Sequence, residues 1–331
     1  MSLNFGVTLP TYIWPDLDYK KTTTIVREFA RRAEELGFAS LTVWDHLTDA
    51  PGLYGGSWLD PLLCLSHAAA CTKQIKLGTH ILVVPLRHPV LLAKEIATLD
   101  YVCEGRFFLG VGPGWSQPEF DAMGIDMRER GRRTDEVLEA LKLLLTQRNV
   151  TFDGEFYKFR DVTIDPLPPK FPKVWVAGGS RVPDPLSPDK PYMVKSVLRR
   201  IAKHADVFTC RASGKQEWVK KDFQTVKDYL RSVGRDPSTL GLAQVQAIYA
   251  VNTDDHEEAL RIQQPHFQRM MGTHRSWEHM QECYLVGTPK EIIARLKDLE
   301  AVGMEHVTLQ PTAPELDQLE LWAEKIIPHF V

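Results

Sequence analysis

The reading of the fold turns on one stretch, Ala97-Thr98-Leu99-Asp100-Tyr101-Val102-Cys103-Glu104-Gly105-Arg106-Phe107-Phe108-Leu109-Gly110-Val111-Gly112-Pro113-Gly114-Trp115. Leu91, Leu92, Glu95, Ile96 and Leu99 keep helical spacing, so a helix starting at Pro89 runs into it. Gly105 follows the last turn, where a residue with positive φ commonly stops a helix. Phe107 to Val111 is then a short apolar run, long enough for one fully buried strand. Gly112-Pro113-Gly114 ends that strand with little side-chain bulk, so a flat or anionic ligand can approach the backbone. Trp115 adds an aromatic face at the exit. A tight strand-to-helix turn with a packed tryptophan accounts for these residues equally well.

The same rhythm extends in both directions. Leu3 to Leu9 reads as a first strand, and Ile25, Phe29, Ala33 and Leu36 as a helix stopped by Gly37. Phe38–Trp44, Ile75–Val84, Val174–Ala177, Asp206–Cys210, Leu242–Val251 and Val307–Gln310 supply further strands. Helices fall at Leu59–Cys71, Gly131–Leu145, Tyr192–His204, Trp218–Ser232 and Leu316–Ile327. Thr288-Pro289-Lys290-Glu291 is a capping box that opens another helix, stopped by Gly303. Eight strands alternating with eight helices is the count of a (β/α)8 TIM barrel, here a single domain over residues 1–331. Two stretches interrupt it. Asn149–Phe159 reads as a hairpin around Asp153-Gly154 and continues into a proline-rich connector, and Asp254–Tyr284 reads as extra helix. Insertions are therefore expected at about 149–172 and 253–284.

Bulk properties narrow the function. With 40 basic and 43 acidic residues the net charge is −3, and no basic stripe interleaved with aromatics suggests nucleic acid. The 5 cysteines include no Cys-x-x-Cys pair, which fits reduced thiols and a cytoplasmic location. There is no signal-peptide pattern and no apolar run of about 18 residues, so no membrane partner is expected.

Leu77-Gly78-Thr79, Pro85-Leu86-Arg87-His88-Pro89, Ala97-Thr98-Leu99-Asp100 and the run from Gly105 to Trp115 resemble the bacterial-luciferase-like superfamily. Within it the chain is most similar to the coenzyme F420 (8-hydroxy-5-deazaflavin) dependent oxidoreductases. The resemblance covers nearly the whole chain. It implies a luciferase-like barrel that binds a flavin-type ring at the C-terminal ends of its strands.

Candidate site residues are those just after each strand. Asp45-His46 follows strand two, and a carboxylate beside an imidazole can raise its pKa and poise it for proton transfer. A loop cap by Asp45 beside a partly buried His46 is the plainer account. The resemblance favours the catalytic one, because the family sets a matching pair against the ring. It also implies a non-prolyl cis peptide at His80-Ile81, pressing on the ring, although the family usually has a small residue where His80 stands. Gly112, Pro113, Gly114 and Trp115 would line the wall. Ala177, Gly178, Gly179, Ser180 and Arg181 would hold the cofactor phosphate through exposed N–H groups. Lys215 matches a substrate-phosphate lysine of the sugar-phosphate dehydrogenases, but a solvated lysine is the plainer reading. Arg128, Arg130, Arg132 and Arg133 read as a solvated face with internal salt bridges, with contact to an acidic cofactor tail as the minority reading. No metal-ligand spacing is evident, and His266, His274 and His279 are irregularly spaced.

The expected activity is hydride transfer between F420 and a small organic substrate. The alternatives are an FMN-dependent monooxygenase using reduced flavin and O2, or a barrel without a redox cofactor. The expected partner is a small molecule, and a homodimer is compatible with the chain.

Overall fold

Apolar runs between helix stops become buried strands. In the computed structural model, which describes residues 3–13, 18–49, 54, 56–180, 193–272 and 274–330, these are β1 Asn4–Thr8, β2 Ser40–Val43, β3 Lys76–Thr79, β4 Phe107–Gly112, β5 Lys173–Gly178, β6 Val207–Cys210, β7 Gly241–Ile248 and β8 His306–Pro311. Each pairs in parallel with the next, and β8 pairs with β1, so the sheet closes into an eight-stranded barrel.

The surrounding helices are α1 Tyr19–Glu35, α2 Pro61–Cys71, α3 Pro89–Val102, α4 Arg130–Leu144, α5 Lys195–His204, α6 Gln216–Ser232, α7 Pro289–Val302 and α8 Leu316–Lys325. Their ends follow local chemistry. Gly105 takes φ +74° just after α3, a conformation that costs glycine nothing. The α7 capping box forms: the Glu291 N–H donates to Thr288 Oγ1, and Glu291 Oε2 accepts from the Thr288 N–H at 2.8 Å.

Two additions sit on this frame. Val150–Asp153 and Lys158–Val162 form an antiparallel hairpin. Helices His256–Met271 and Trp277–Cys283 lie between β7 and α7, carrying a second apolar cluster with Phe267, Met270, Met271, Met280 and Tyr284. Among the described residues no helix is long and apolar enough to cross a membrane.

The barrel interior is filled rather than open. Phe108 stacks on Trp175 at 4.3 Å, with His80 and His306 edge-on to Trp175 at 5.3 and 5.0 Å. A Cβ at Gly78 would lie 2.3 Å from the Phe108 ring, so only glycine fits there.

The third strand departs from the expected span of Ile75–Val84. It stops at Thr79, the His80-Ile81 peptide is cis, and Leu82–Val83 pairs with β4 alone. Where the ladder breaks, the Thr79 side chain replaces it: its hydroxyl donates to the Gly110 carbonyl at 2.7 Å and accepts from the Gly110 N–H at 3.1 Å.

Burial of imidazoles sets an acid limit on this fold. Desolvation lowers the pKa of His80 to about 3 and those of His204 and His306 to about 4, from 6.5. An unfolded chain protonates these groups near 6.5 while the folded chain refuses the proton. Stability is therefore fully present above pH 6.5 and falls as pH drops toward 4. Urea midpoints should decline steadily from pH 7 to pH 5; a flat profile would mean that these imidazoles are solvated.

Candidate active site

A closed parallel barrel brings the carboxyl ends of all its strands to one rim, and here a cavity of about 710 Å³ opens at that rim. The ends of β2, β3, β4 and β5 meet in it. Asp45, His46, His80, Ile81, Gly112, Pro113, Gly114, Trp115, Ala177, Gly178, Gly179 and Ser180 all line its wall. Arg181 and the 181–192 segment lie outside the described residues. A more open groove of about 560 Å³, around Lys290, Lys297 and Lys325, has no strand residue in its lining.

The expected partnership of Asp45 with His46 does not form. Successive side chains leaving a strand point to opposite sides. Asp45 turns toward β3, where its carboxylate accepts from the Val83 N–H at 2.8 Å and pairs with Arg87 at 3.0 Å. Burial pushes its carboxyl up from the usual range, with Arg87 and the Val83 N–H pulling it back. Asp45 thus fixes the segment after the cis peptide.

The carboxylate on His46 belongs to Glu119, in the short helix Gln117–Ala122 after β4. His46 Nδ1 lies 3.0 Å from Glu119 Oε1, and the Leu47 N–H donates to the same oxygen at 2.9 Å. Both side chains are nearly sealed, His46 at 7% and Glu119 at 2% exposure. With the Leu47 N–H already donating to Glu119 Oε1, an Nδ1–H donated to it as well would leave Nε2 as the nitrogen that exchanges protons. Aromatic rings wall this pair: Trp58 at 4.8 Å, Tyr54 at 5.2 Å and Trp115 at 5.8 Å from the imidazole centroid. Glu119 was not legible from local sequence; its only signal is an acid close behind Gly112-Pro113-Gly114-Trp115.

The wall also carries basic residues. Arg130, Arg200 and Arg211 line the cavity beside Ser196 and Val197 in the first turn of α5, which holds no acidic residue. Arg200 is anchored by Asp135 at 2.6 Å and the Gly131 carbonyl at 2.8 Å. Helix N–H groups and guanidinium groups together favour an anion. Ser180 cannot contribute as expected, because its N–H donates to Asp222 Oδ2 at 2.6 Å and its hydroxyl donates to Asp222 Oδ1. Gly179 has φ +146°, and a Cβ there would come 3.2 Å from Asp222 Oδ2 and 3.3 Å from Arg211 Cβ. A bulky residue at 179 would disturb the turn itself as well as any ligand.

The other charged residues divide. Arg128 pairs with Asp126 at 2.7 Å and Arg133 with Glu129 at 3.0 Å, as a solvated face should, but Arg128 and Arg130 also line the cavity, which that reading does not expect. Lys215 pairs with Glu282 at 2.6 Å and is absent from the cavity wall. From the insertion between β7 and α7, Met271, His274, Arg275 and Tyr284 reach the cavity. Among the described residues no group of three His, Cys, Asp or Glu could hold a metal ion.

The chain matches the family model for luciferase-like monooxygenases over residues 3–306, and it belongs to that family. It is 36% identical over 172 residues to an FMNH2-dependent dimethylsulfone monooxygenase of Pseudomonas putida, covering 50% of this chain and 45% of that enzyme. It is 26% identical over 327 residues to an F420-dependent glucose-6-phosphate dehydrogenase of Segniliparus rotundus, covering 92% of each. The solved structure of monooxygenase RslO1 from Streptomyces bottropensis superposes with a TM-score of 0.82 at 25% identity, covering 99% of this chain and all of that one. The family has F420-dependent and FMN-dependent members.

Proposed function

We propose that this chain, acting as one barrel domain, transfers a hydride between coenzyme F420 and a small organic substrate, with His46 carrying the accompanying proton. The observation that carries the reading is the buried His46–Glu119 pair at a cavity lined by the strand ends of one barrel rim. Hydride transfer to or from a carbon bearing oxygen needs a proton carrier at that oxygen. Glu119 holds His46 in the tautomer whose Nε2 takes a hydroxyl proton in oxidation and returns it in reduction.

The residues fit a flavin-type ring and its phosphate tail. The cis peptide of His80-Ile81 forms part of the cavity wall, and Ile81 packs where Gly112 has no side chain: a Cβ there would come 2.8 Å from Ile81 Cδ1. Trp44 also lines this cavity and adds an aromatic face to its wall. Arg130, Arg200, Arg211 and the start of α5 suit the phosphate. When bound, a deazaflavin supplies a ring carbon that exchanges hydride and reacts poorly with oxygen, whereas reduced FMN also reacts with O2. The protein contributes position, proton transfer and exclusion of water.

The second reading, an FMN-dependent monooxygenase, draws on the half-chain similarity to dimethylsulfone monooxygenases. Titrating the chain with F420 and with FMN, followed by quenching of tryptophan fluorescence, tests both. Saturable binding of F420 alone supports the hydride-transfer reading. Preferential binding of FMN supports the monooxygenase, and binding of neither leaves a barrel without redox cofactor.

A further inference from the structure

We propose that Thr209, at the end of β6, donates a hydrogen bond from its hydroxyl into the cavity, to an acceptor atom of the flavin-type ring, and that His80 is the positioning residue that aims it. The inference rests on the cofactor reading above, and it concerns a buried imidazole for which the proton-transfer step has no use.

Protons can be counted along one buried chain of side chains. His80 Nδ1 lies 3.1 Å from Thr308 Oγ1, and His80 Nε2 lies 2.5 Å from Thr209 Oγ1. Thr308 is fully buried, and its hydroxyl makes its hydrogen bond to His80. Leaving a buried hydroxyl proton without an acceptor is unfavourable. The Thr308 hydroxyl therefore donates, and Nδ1 accepts. Burial keeps the His80 ring neutral, with its pKa near 3, so the ring holds a single proton. That proton sits on Nε2 and is donated to Thr209. Thr209 then acts as acceptor toward His80, and its own proton must go elsewhere. Thr209 is 2% exposed, and it and His80 both line the cavity. The cavity is the direction left for the donated proton. The ligand must present an acceptor there, and ring carbonyls and ring nitrogens of flavins and deazaflavins are such atoms.

Two measurements test this. In two-bond ¹H–¹⁵N spectra of the labelled chain at pH 7, His80, assigned by its shift in Thr308→Val, should show the neutral Nε2–H pattern. A neutral Nδ1–H ring or an imidazolium would overturn the proton count. Fluorescence titrations with F420, FMN and riboflavin should then compare the wild type with Thr209→Val and Thr209→Ser. Valine should weaken all three by about tenfold, the worth of one hydrogen bond, while serine stays within about twofold of wild type. The loss should be equal for FMN and riboflavin, because the contact is to the ring and not to the phosphate. Wild-type affinity in Thr209→Val, or a loss confined to FMN, would overturn the contact. A wild-type chain that binds none of the three would overturn the cofactor reading itself, and this contact with it; the tautomer result would still stand separately. If Thr209→Val does not fold, Thr209→Ala takes its place, with the same tenfold loss expected and wild-type affinity overturning the contact.

Discussion

His46→Ala is expected to lower turnover by about 10²–10⁴-fold, the usual worth of a positioned general acid or base. That corresponds to roughly 2.7–5.5 kcal/mol of transition-state stabilisation. The fold should not pass untouched, although His46 is a loop residue at a strand end. Removing the imidazole leaves the buried Glu119 carboxylate with the Leu47 N–H as its hydrogen-bond donor, at a cost of about 1–3 kcal/mol. His46→Asn separates the two effects, because its amide can still donate toward Glu119 but carries no exchangeable ring nitrogen. The asparagine variant should melt close to wild type and remain as slow as the alanine variant. Turnover near wild type in either would remove His46 from the chemistry and return it to a packing role among Tyr54, Trp58 and Trp115.

The second large effect is expected at Glu119. Glu119→Ala strips the acceptor from His46 Nδ1 and from the Leu47 N–H, so the imidazole loses both its orientation and its tautomer. The loss in turnover should be on the order of 10²-fold, as for other carboxylates that orient a catalytic imidazole. Because the two side chains act as one unit, the double variant His46→Ala/Glu119→Ala should be little slower than His46→Ala alone. Multiplicative losses in the double variant would show that Glu119 acts independently of His46.

The contrast between Asp45 and Glu119 shows what the sequence carried and what it did not. The barrel was legible because helix stops such as Gly105 and Gly303 and the buried strand Phe107–Val111 repeat a local pattern, and local patterns are written in neighbouring residues. Barrel closure then brings four strand ends together whatever their sequence separation, so the wall from Asp45 to Ser180 could be expected. The partner of His46 could not. Chain adjacency pointed to Asp45, but strand alternation sends that carboxylate to Arg87 and the Val83 N–H instead. Glu119 reaches His46 from a short helix after β4, and no spacing rule links them. Ser180 failed for a related reason: whether a backbone N–H is open depends on what packs behind it, here Asp222 of α6. The tautomer chain through His80 likewise needs β3, β6 and β8 in place before it can be seen.

The account's central claim is that a flavin-type ring lies across the mouth of this barrel. A crystal structure of the chain with the coenzyme that saturates it tests that claim most directly. The account predicts the ring over the His80-Ile81 peptide, within hydrogen-bond reach of Thr209 and beside Gly112 to Trp115. It places the His46 Nε2 facing the reacting edge, and the phosphate among Arg130, Arg200, Arg211 and the first turn of α5. A ring bound elsewhere, or a phosphate seated after β7 and β8, would contradict it.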